Sequence, residues 1–410
     1  MKILFIANRL PHADVAGGHR LIYQRMRQLQ QRGHTVGLAA LIMQENLDHL
    51  PCLKDTFYEV EAIPFQTRSM WHRVSNDYLN PLLPAIFWKN RSAQLMQQVG
   101  SMVERSQYDL VVAEYGEMGQ YLYQNPYLSA VHKIISCHRC LTDSLRTYSQ
   151  TKGVPLSMRL KSKAQLPRLS AYEYELYRNM DHILTLTNKD RFTLLHDAPQ
   201  LPVSVVAPGI DVEELNQIKC VRHEEPTLVM CSYFADKSNR DAALWFIRHV
   251  WPILQERYPS LRCQFVGKGI GHEIKQAQQK YETIELISDV DDLRPYRKKA
   301  HIFINPMRIG SGLRIKMLEA MGSGLPVVTT QLGAAGIPAQ NGVNCFIADT
   351  PELFAHSISW LLQDPTLVIK MGQRAQQLVS DQYGIHQSVK ELERIFTDTL
   401  SVNRKKTYTA

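Results

Sequence analysis

Short apolar and β-branched runs recur along this chain, and most are followed by a longer stretch with the residue spacing of an amphipathic helix. This alternation constrains the fold more than any other feature. A parallel strand pairs with its neighbour only after a crossover of a dozen or more residues, and a helix is the usual crossover. The runs form two series. KILFIA, TVGLAAL, DLVVAE, KIISC and HILTLT read as strands of a first sheet, with Leu21, Ile22, Met26 and Leu29 marking a helical face between the first two. TLVMCSY, LRCQFVG, TIELIS, HIFINP, PVVTT and NCFIA read as a second sheet, beginning near residue 227. Between them lies VVAPGIDVEEL, whose Pro208-Gly209 fits a hinge between domains. The chain ends in helical patterns: ELFAHSISWLLQ, an amphipathic run to about Gln382, and HQSVKELERIFTDTL. The expected class is α/β, with two doubly wound sheets facing across a cleft and ligands at the carboxyl ends of the strands. The first domain is expected over 1–206, with a helix of about 386–402 packing back on it. The second spans 207–385, and 403–410 form a polar, frayed tail.

The chain's 410 residues suffice for two buried cores. No apolar run approaches the roughly 18 residues needed to span a bilayer. The opening MKILFIANRL reads as a first strand rather than a signal peptide. Seven cysteines, an odd number spread along the chain, imply reduced thiols and a cytosolic setting. Cys137-His138-Arg139-Cys140 is a CxxC, but no second ligand pair stands at suitable spacing, so no metal site is expected. The net charge of +8 is concentrated in one place: within 144–172 stand Arg146, Lys152, Arg159, Lys161, Lys163 and Arg168 and no acid. No nucleic-acid-binding motif accompanies them, so nucleic acid is not an expected partner. Arg159, Lys161 and Lys163 read instead as contacts to an anionic membrane surface or to a phosphate-bearing acceptor, with a solvated basic face as the plain alternative. Segment 64–92 has Pro64, Pro81 and Pro84 among Phe65, Trp71, Tyr78, Phe87 and Trp88, which is too aromatic for a linker. It reads either as packed structure or as a set of interfacial anchors.

The most distinctive stretch is NPMRIGSGLRIKMLEAMGSGLPVVTT, residues 305–330. Gly310 and Gly312 precede a helical pattern that Gly322 and Gly324 end. A glycine-rich loop opening onto a helix N-terminus offers free backbone N–H groups and the positive end of a dipole, which is the physics of a phosphate site. Lys316 and Glu319 are three apart and share a face. The cation can reach a diphosphate, and the carboxylate can accept two hydroxyls of a ribose or sugar.

These residues resemble the signature of the retaining glycosyltransferases of family four, which have the two-domain GT-B fold: a strand ending in Pro, then Gly-x-Gly-x-x-x-Lys-x-x-Glu-Ala-Met, then Gly-x-Pro-Val-Val. LPHADVAGGHR, RGHTV, APGID, SNRDAALWFIRHVWPIL and SDVDDLRPYRKKAHIFINP match further parts of that family in order, with likeness to its exopolysaccharide enzymes. The resemblance implies sugar transfer from a nucleoside diphosphate sugar to a glycan, on a lipid carrier, with retained configuration and without a required metal or cofactor. It implies that Gly17, Gly18, Lys237, Val290, Gly310, Ser311, Gly312, Leu313, Arg314, Lys316 and Glu319 bind the donor. It also implies that Lys316 and Glu319 act in catalysis, and that His138 lies near the anomeric centre. The resemblance has a gap at Ser311, where many relatives carry a first glutamate. His138 reads equally as a satisfied rim histidine. Glu114, Glu117 and Glu173 are further acids able to line the cleft. A cytoplasmic enzyme, peripheral at the inner face of the membrane, follows. A nucleotide-sugar 2-epimerase of the same fold and a degenerate transferase serving as a partner protein are the rivals.

Overall fold

Runs such as Lys2–Ala7 and Thr227–Cys231 are apolar at almost every position, so a strand built from them must be covered on both faces. The computed structural model shows how, over residues 1–13, 17–65, 83–150, 155–217, 223–290, 292–310 and 312–407. Among these residues the chain forms two compact units. One comprises residues 1–13, 18–207 and the segment from 386 onward; the other comprises Gly17 and 208–385.

The first unit holds a seven-stranded parallel sheet of β1 (Lys2–Ala7), β2 (Thr35–Ile42), β3 (Glu59–Pro64), β4 (Leu110–Glu114), β5 (His132–Cys137), β6 (His182–Thr185) and β7 (Val203–Val205). Its order is β3-β2-β1-β4-β5-β6-β7. The register sets Ile3 against Val36 on one side and Leu110 on the other. The order reverses between β1 and β4, which makes the space beyond their carboxyl ends the topological switch point. The Gly18–Gln31 helix crosses from β1 to β2 and buries Leu21, Ile22, Met26 and Leu29. The Ile385–Thr407 helix also belongs to this unit, except for its first residue, and runs into the segment expected as tail. Its Val389, Leu392, Ile395 and Phe396 are buried. Glu393 receives Arg32 and His34 at 2.8 and 2.9 Å.

The second unit holds β8 (Thr227–Cys231), β9 (Arg262–Gly267), β10 (Ile284–Ser288), β11 (Ile302–Asn305), β12 (Val327–Thr329) and β13 (Phe346–Ile347). The order is β10-β9-β8-β11-β12-β13, again parallel, with the reversal between β8 and β11. Its core gathers Trp251, Phe246, Phe265 and Phe354 around the sheet.

The sequence reading omits β3 and β7, the two edges of the first sheet. EVEAIP carries two acids and a proline, and β7 has three residues; sheet edges are often short, charged or proline-bearing. Glu59 is tied down by Arg105, the Ser106 hydroxyl and the Tyr108 hydroxyl. The aromatic segment resolves toward packing. Phe87 and Trp88 are core residues and Phe65 packs against them, so these three offer no interfacial anchor. Trp71, Tyr78 and Pro81 lie outside the described residues.

Candidate active site

In the second unit, everything of interest gathers beyond β8 and β11. After β11 the loop runs through Gly310 and Gly312, whose φ angles of +110° and +83° are rarely adopted by residues with a side chain. Arg308 holds the loop to the Lys237–Trp245 helix through Asp241, at 2.7 Å. The Thr330 hydroxyl donates to the Met307 carbonyl, and Asn305 donates to the Thr329 hydroxyl at 3.0 Å. The Ile315–Gly322 helix starts after Arg314, whose side chain makes no cap bond, so its first N–H groups point outward with the positive end of the dipole.

Lys316, in the first turn, turns inward. Its Nζ donates to Ser232 Oγ at 2.9 Å and to Asn239 Oδ1 at 2.7 Å, joining the loop after β8 to two helices. Burial, aided by the Arg314 guanidinium and opposed by Asp236, pulls the ammonium down to about 7 from its ordinary 10.5. One turn on, Glu319 accepts a hydrogen bond from the buried Arg297 at 3.0 Å through Oε2. Glu319 and Arg297 are 5% and 1% exposed, so the pair is inside the protein. Oε1 has no hydrogen-bond partner among the described residues.

In the first unit, side chains from β1, β4 and β5 meet at the switch point. Asn8, following β1, accepts from His19 Nε2 at 2.9 Å and donates to Glu117 Oε1 at 3.0 Å. Glu114 ends β4 and His138 follows β5; His138 Nε2 stands 2.7 Å from Glu114 Oε2. Tyr115 stacks on the His138 ring with centroids 4.1 Å apart. It does so from a backbone φ of +76°, a strained value for a bulky residue. Gly18 makes this possible: a Cβ there would lie 2.1 Å from the Tyr115 hydroxyl. Burial raises the Glu114 carboxyl, but the hydrogen bond from His138, with the charge of Arg25, outweighs it and holds the group below its ordinary value. Burial, with the nearby Arg9 charge, pulls His19 down to about 3. Arg25 is buried, donates to the Ala207 carbonyl at 3.2 Å, and is lowered by desolvation.

Against this geometry stand the comparisons with known proteins. Residues 225–364 match the family model "Glycosyl transferases group 1". The chain is a glycosyltransferase of the GT-B fold. An uncharacterized 44.6 kDa protein in the cps region of Klebsiella pneumoniae is 24% identical over 374 residues, covering 87% of this chain and 90% of the relative. Sucrose-phosphate synthase from Thermosynechococcus elongatus superposes with a TM-score of 0.70 at 13% identity, over 98% of this chain and 100% of that one. Anabaena Alr3699/HepE, in complex with UDP-glucose, gives 0.67 at 15% identity, over 98% and 100%.

The transferase places its expected residues unevenly. Gly310, Gly312, Leu313, Arg314, Lys316 and Glu319 do share one loop and helix, and Ser311 lies outside the described residues. The carboxylate of Glu319 is not open at both oxygens, because Arg297 occupies one; the α-helical spacing gave no sign of a partner 22 residues upstream. Lys237 is exposed at the start of its helix, while its neighbour Asn239 is the one that meets Lys316. Val290 follows Asp289, itself at φ +58°, just past β10. Gly17 has φ +81° at the head of the Gly18–Gln31 helix. Glu173 is corrected outright: it is fully buried and accepts from the Leu141 and Thr142 N–H groups at 2.9 and 2.8 Å and from the Tyr177 hydroxyl at 2.8 Å. It caps the Leu141–Gln150 helix from a neighbouring helix, and desolvation holds its carboxyl above the ordinary value. The CxxC thiols of Cys137 and Cys140 are buried and raised by burial. No cluster of metal-ligating side chains occurs among the described residues.

The basic segment forms the start of the Leu156–Arg178 helix, which continues through Pro167. Arg159 is drawn inward to the Ser149 carbonyl at 3.1 Å, and Arg168 to that of Leu83. Lys161 and Lys163 are exposed beside Leu156, Met158 and Leu160, which are 67, 38 and 57% exposed. A groove of about 650 Å³ lies along Met158, Leu160, Lys161, Gln165 and Arg168. Lys152 lies outside the described residues, and among those described no helix is long and apolar enough to cross a membrane. Ser232, Asn239, Arg297, Asn8, His19, Arg25 and Tyr115 were not singled out from sequence. They are ordinary polar residues made functional candidates only by the fold: Asn8, Tyr115 and Ser232 follow strand ends, and His19, Arg25, Asn239 and Arg297 reach in from helices.

Proposed function

We propose that this glycosyltransferase moves a sugar from a nucleoside diphosphate sugar to a lipid-linked glycan acceptor, with retained anomeric configuration, in polysaccharide or cell-surface glycan synthesis. The observation that carries this reading is the Gly310–Glu319 segment at the β8/β11 switch point. Its backbone N–H groups, the helix N-terminus, Arg314 and Lys316 supply positive charge where a diphosphate leaves, and Glu319 Oε1 supplies an acceptor for a hydroxyl. The mechanism asks for no metal, since these groups balance the departing charge, and the diphosphate oxygen takes the proton of the incoming hydroxyl. UDP-glucose on the Anabaena neighbour supports a donor of this kind. In this reading the second unit holds the donor, with Lys237 at its phosphates and Val290 near the base. The first unit, with His138 near the anomeric carbon, receives the acceptor.

Lys161 and Lys163, set among exposed Leu156, Met158 and Leu160, support a peripheral position at the cytoplasmic leaflet. Each cation near an anionic surface contributes about 1 kcal/mol. The test is a screen of UDP-, GDP-, ADP- and dTDP-sugars for thermal stabilisation, hydrolysis and transfer, with the product anomer read by NMR. A true donor at 100 times its Kd adds about 2.7 kcal/mol of stability. Inversion at the anomeric carbon overturns retention, 2-epimerisation of the donor overturns transfer, and no binding by any nucleotide sugar overturns the whole reading.

A further inference from the structure

We propose that Glu114 is a positioning residue for the transfer reaction: it fixes the tautomer and the orientation of His138, so that the ring presents an unprotonated Nδ1 to the acceptor. The proposal rests on the placement of His138 near the anomeric carbon given above.

Five observations converge on this pair. Glu114 Oε2 stands 2.7 Å from His138 Nε2, and a carboxylate can only accept, so the shared proton sits on Nε2. Both side chains are nearly sequestered, at 2% and 7% exposure, so water does not compete for that bond. The ring cannot turn away, because Tyr115 lies stacked on one face at 4.1 Å and an interplanar angle of 27°. Nδ1 has no hydrogen-bond partner among the described residues, and it lies 3.4 Å from where a Gly18 Cβ would stand. The Arg25 guanidinium, buried and felt electrostatically at Glu114, helps keep that carboxylate ionised.

The arrangement has a cost that a purely structural role would not require. Tyr115 sits at φ +76°, and its hydroxyl fills the space left by the missing side chain of Gly18. Strain kept in this way over-determines the ring it holds. Glu114 has no reach to a substrate of its own, since its Oε2 ends on His138 and the residue is 1% exposed.

The test begins with the wild-type protein and needs no substrate. Long-range 1H–15N spectra of histidine-labelled protein at pH 8, with His138 assigned by its Gln variant, are expected to show the proton on Nε2 and an unprotonated Nδ1. A proton on Nδ1 overturns the proposal. The second measurement is Glu114→Gln. The expected result is loss of the single tautomer and a fall in kcat on the order of ten- to a hundred-fold, the scale for removing a carboxylate behind a functional histidine, with donor Kd unchanged. Glu114→Asp should recover part of that loss. Wild-type kcat in Glu114→Gln overturns the proposal even if the tautomer is as expected. If no nucleotide sugar binds or turns over, the proposed function fails, and the spectrum still decides the state of His138.

Discussion

The two sheets finish their switch points in opposite ways. Beyond β8 and β11 the backbone leads: a loop with two glycines at positive φ, a helix start without a side-chain cap, and one lysine with two hydrogen bonds. Beyond β1 and β4 the side chains lead, in two linked sets: Asn8 with His19 and Glu117, and His138 with Glu114 and Tyr115. Glycine contributes there by letting a neighbour approach. A backbone site depends on spacing and leaves a linear signature; a side-chain network depends on which strand ends meet and leaves none. The family match spans 225–364, inside the unit whose site is built from backbone.

The largest effect should come from breaking the ion pair behind the backbone site. Glu319→Ala leaves Arg297 buried and unpaired, so stability should fall by about 3–5 kcal/mol in urea unfolding. The double variant Arg297→Met, Glu319→Leu should regain most of the stability but not nucleotide binding. Wild-type nucleotide affinity in either variant would remove Glu319 from the donor site.

Glu173→Ala should cost about 2–3 kcal/mol by stripping acceptors from two N–H groups and two hydroxyls. Donor affinity should not change. A change in affinity would mean that this acid belongs with Glu114 rather than with the scaffold. Smaller still, Gly18→Ala should cost about 1–3 kcal/mol by overpacking against Tyr115, and adding Tyr115→Phe should recover part of it in the same melt.

Acidity separates the two sites further. His19 is lowered to about 3, so the folded state excludes a proton that the unfolded chain accepts near 6.5. Its contribution to stability is present above pH 6.5 and lost as pH falls toward 3, and His19→Asn should flatten that part of the unfolding profile. Lys316 is lowered to about 7, so between about 7 and 10.5 the unfolded chain binds the extra proton and stability from this group rises with pH. Donor binding runs the other way. A diphosphate favours the ammonium, so affinity should weaken by up to about tenfold per unit above pH 7, with proton uptake visible by calorimetry in two buffers. A flat profile would mean that Lys316 does not meet the phosphates. Last, Lys161→Glu with Lys163→Glu should move stability by less than about 0.5 kcal/mol, as exposed substitutions do, while weakening binding to anionic vesicles at low salt. Wild-type protein that ignores such vesicles would end the membrane reading.

How much of this was legible follows the same division. Both sheets and the Gly310–Glu319 segment were readable, because apolar runs and glycine spacing are local signals. The edge strands β3 and β7 were not, since two acids and a proline, or three residues alone, carry no strand pattern. Arg297 could not be matched to Glu319, nor Asn239 to Lys316, because each pair is joined by crossovers rather than by sequence distance. Glu173 misled for the opposite reason: it read as an acid able to line the cleft, while its four hydrogen bonds lie in the interior. Arg159 read as a membrane or acceptor contact, yet its guanidinium donates to the Ser149 carbonyl.

The Ile385–Thr407 helix has a consequence for how the protein comes into being. Four of its apolar side chains are buried in the unit whose sheet begins at Lys2, and Ser388 donates to the Ala207 carbonyl at 2.7 Å. On the ribosome, the first sheet emerges early but waits for this helix until all of 208–385 has followed. The second unit, whose strands all lie between residues 227 and 347, has every strand in hand before that. The half that starts first is finished last, and in the interval the surface destined for Val389, Leu392, Ile395 and Phe396 stands bare, where a chaperone or a wrong partner can reach it.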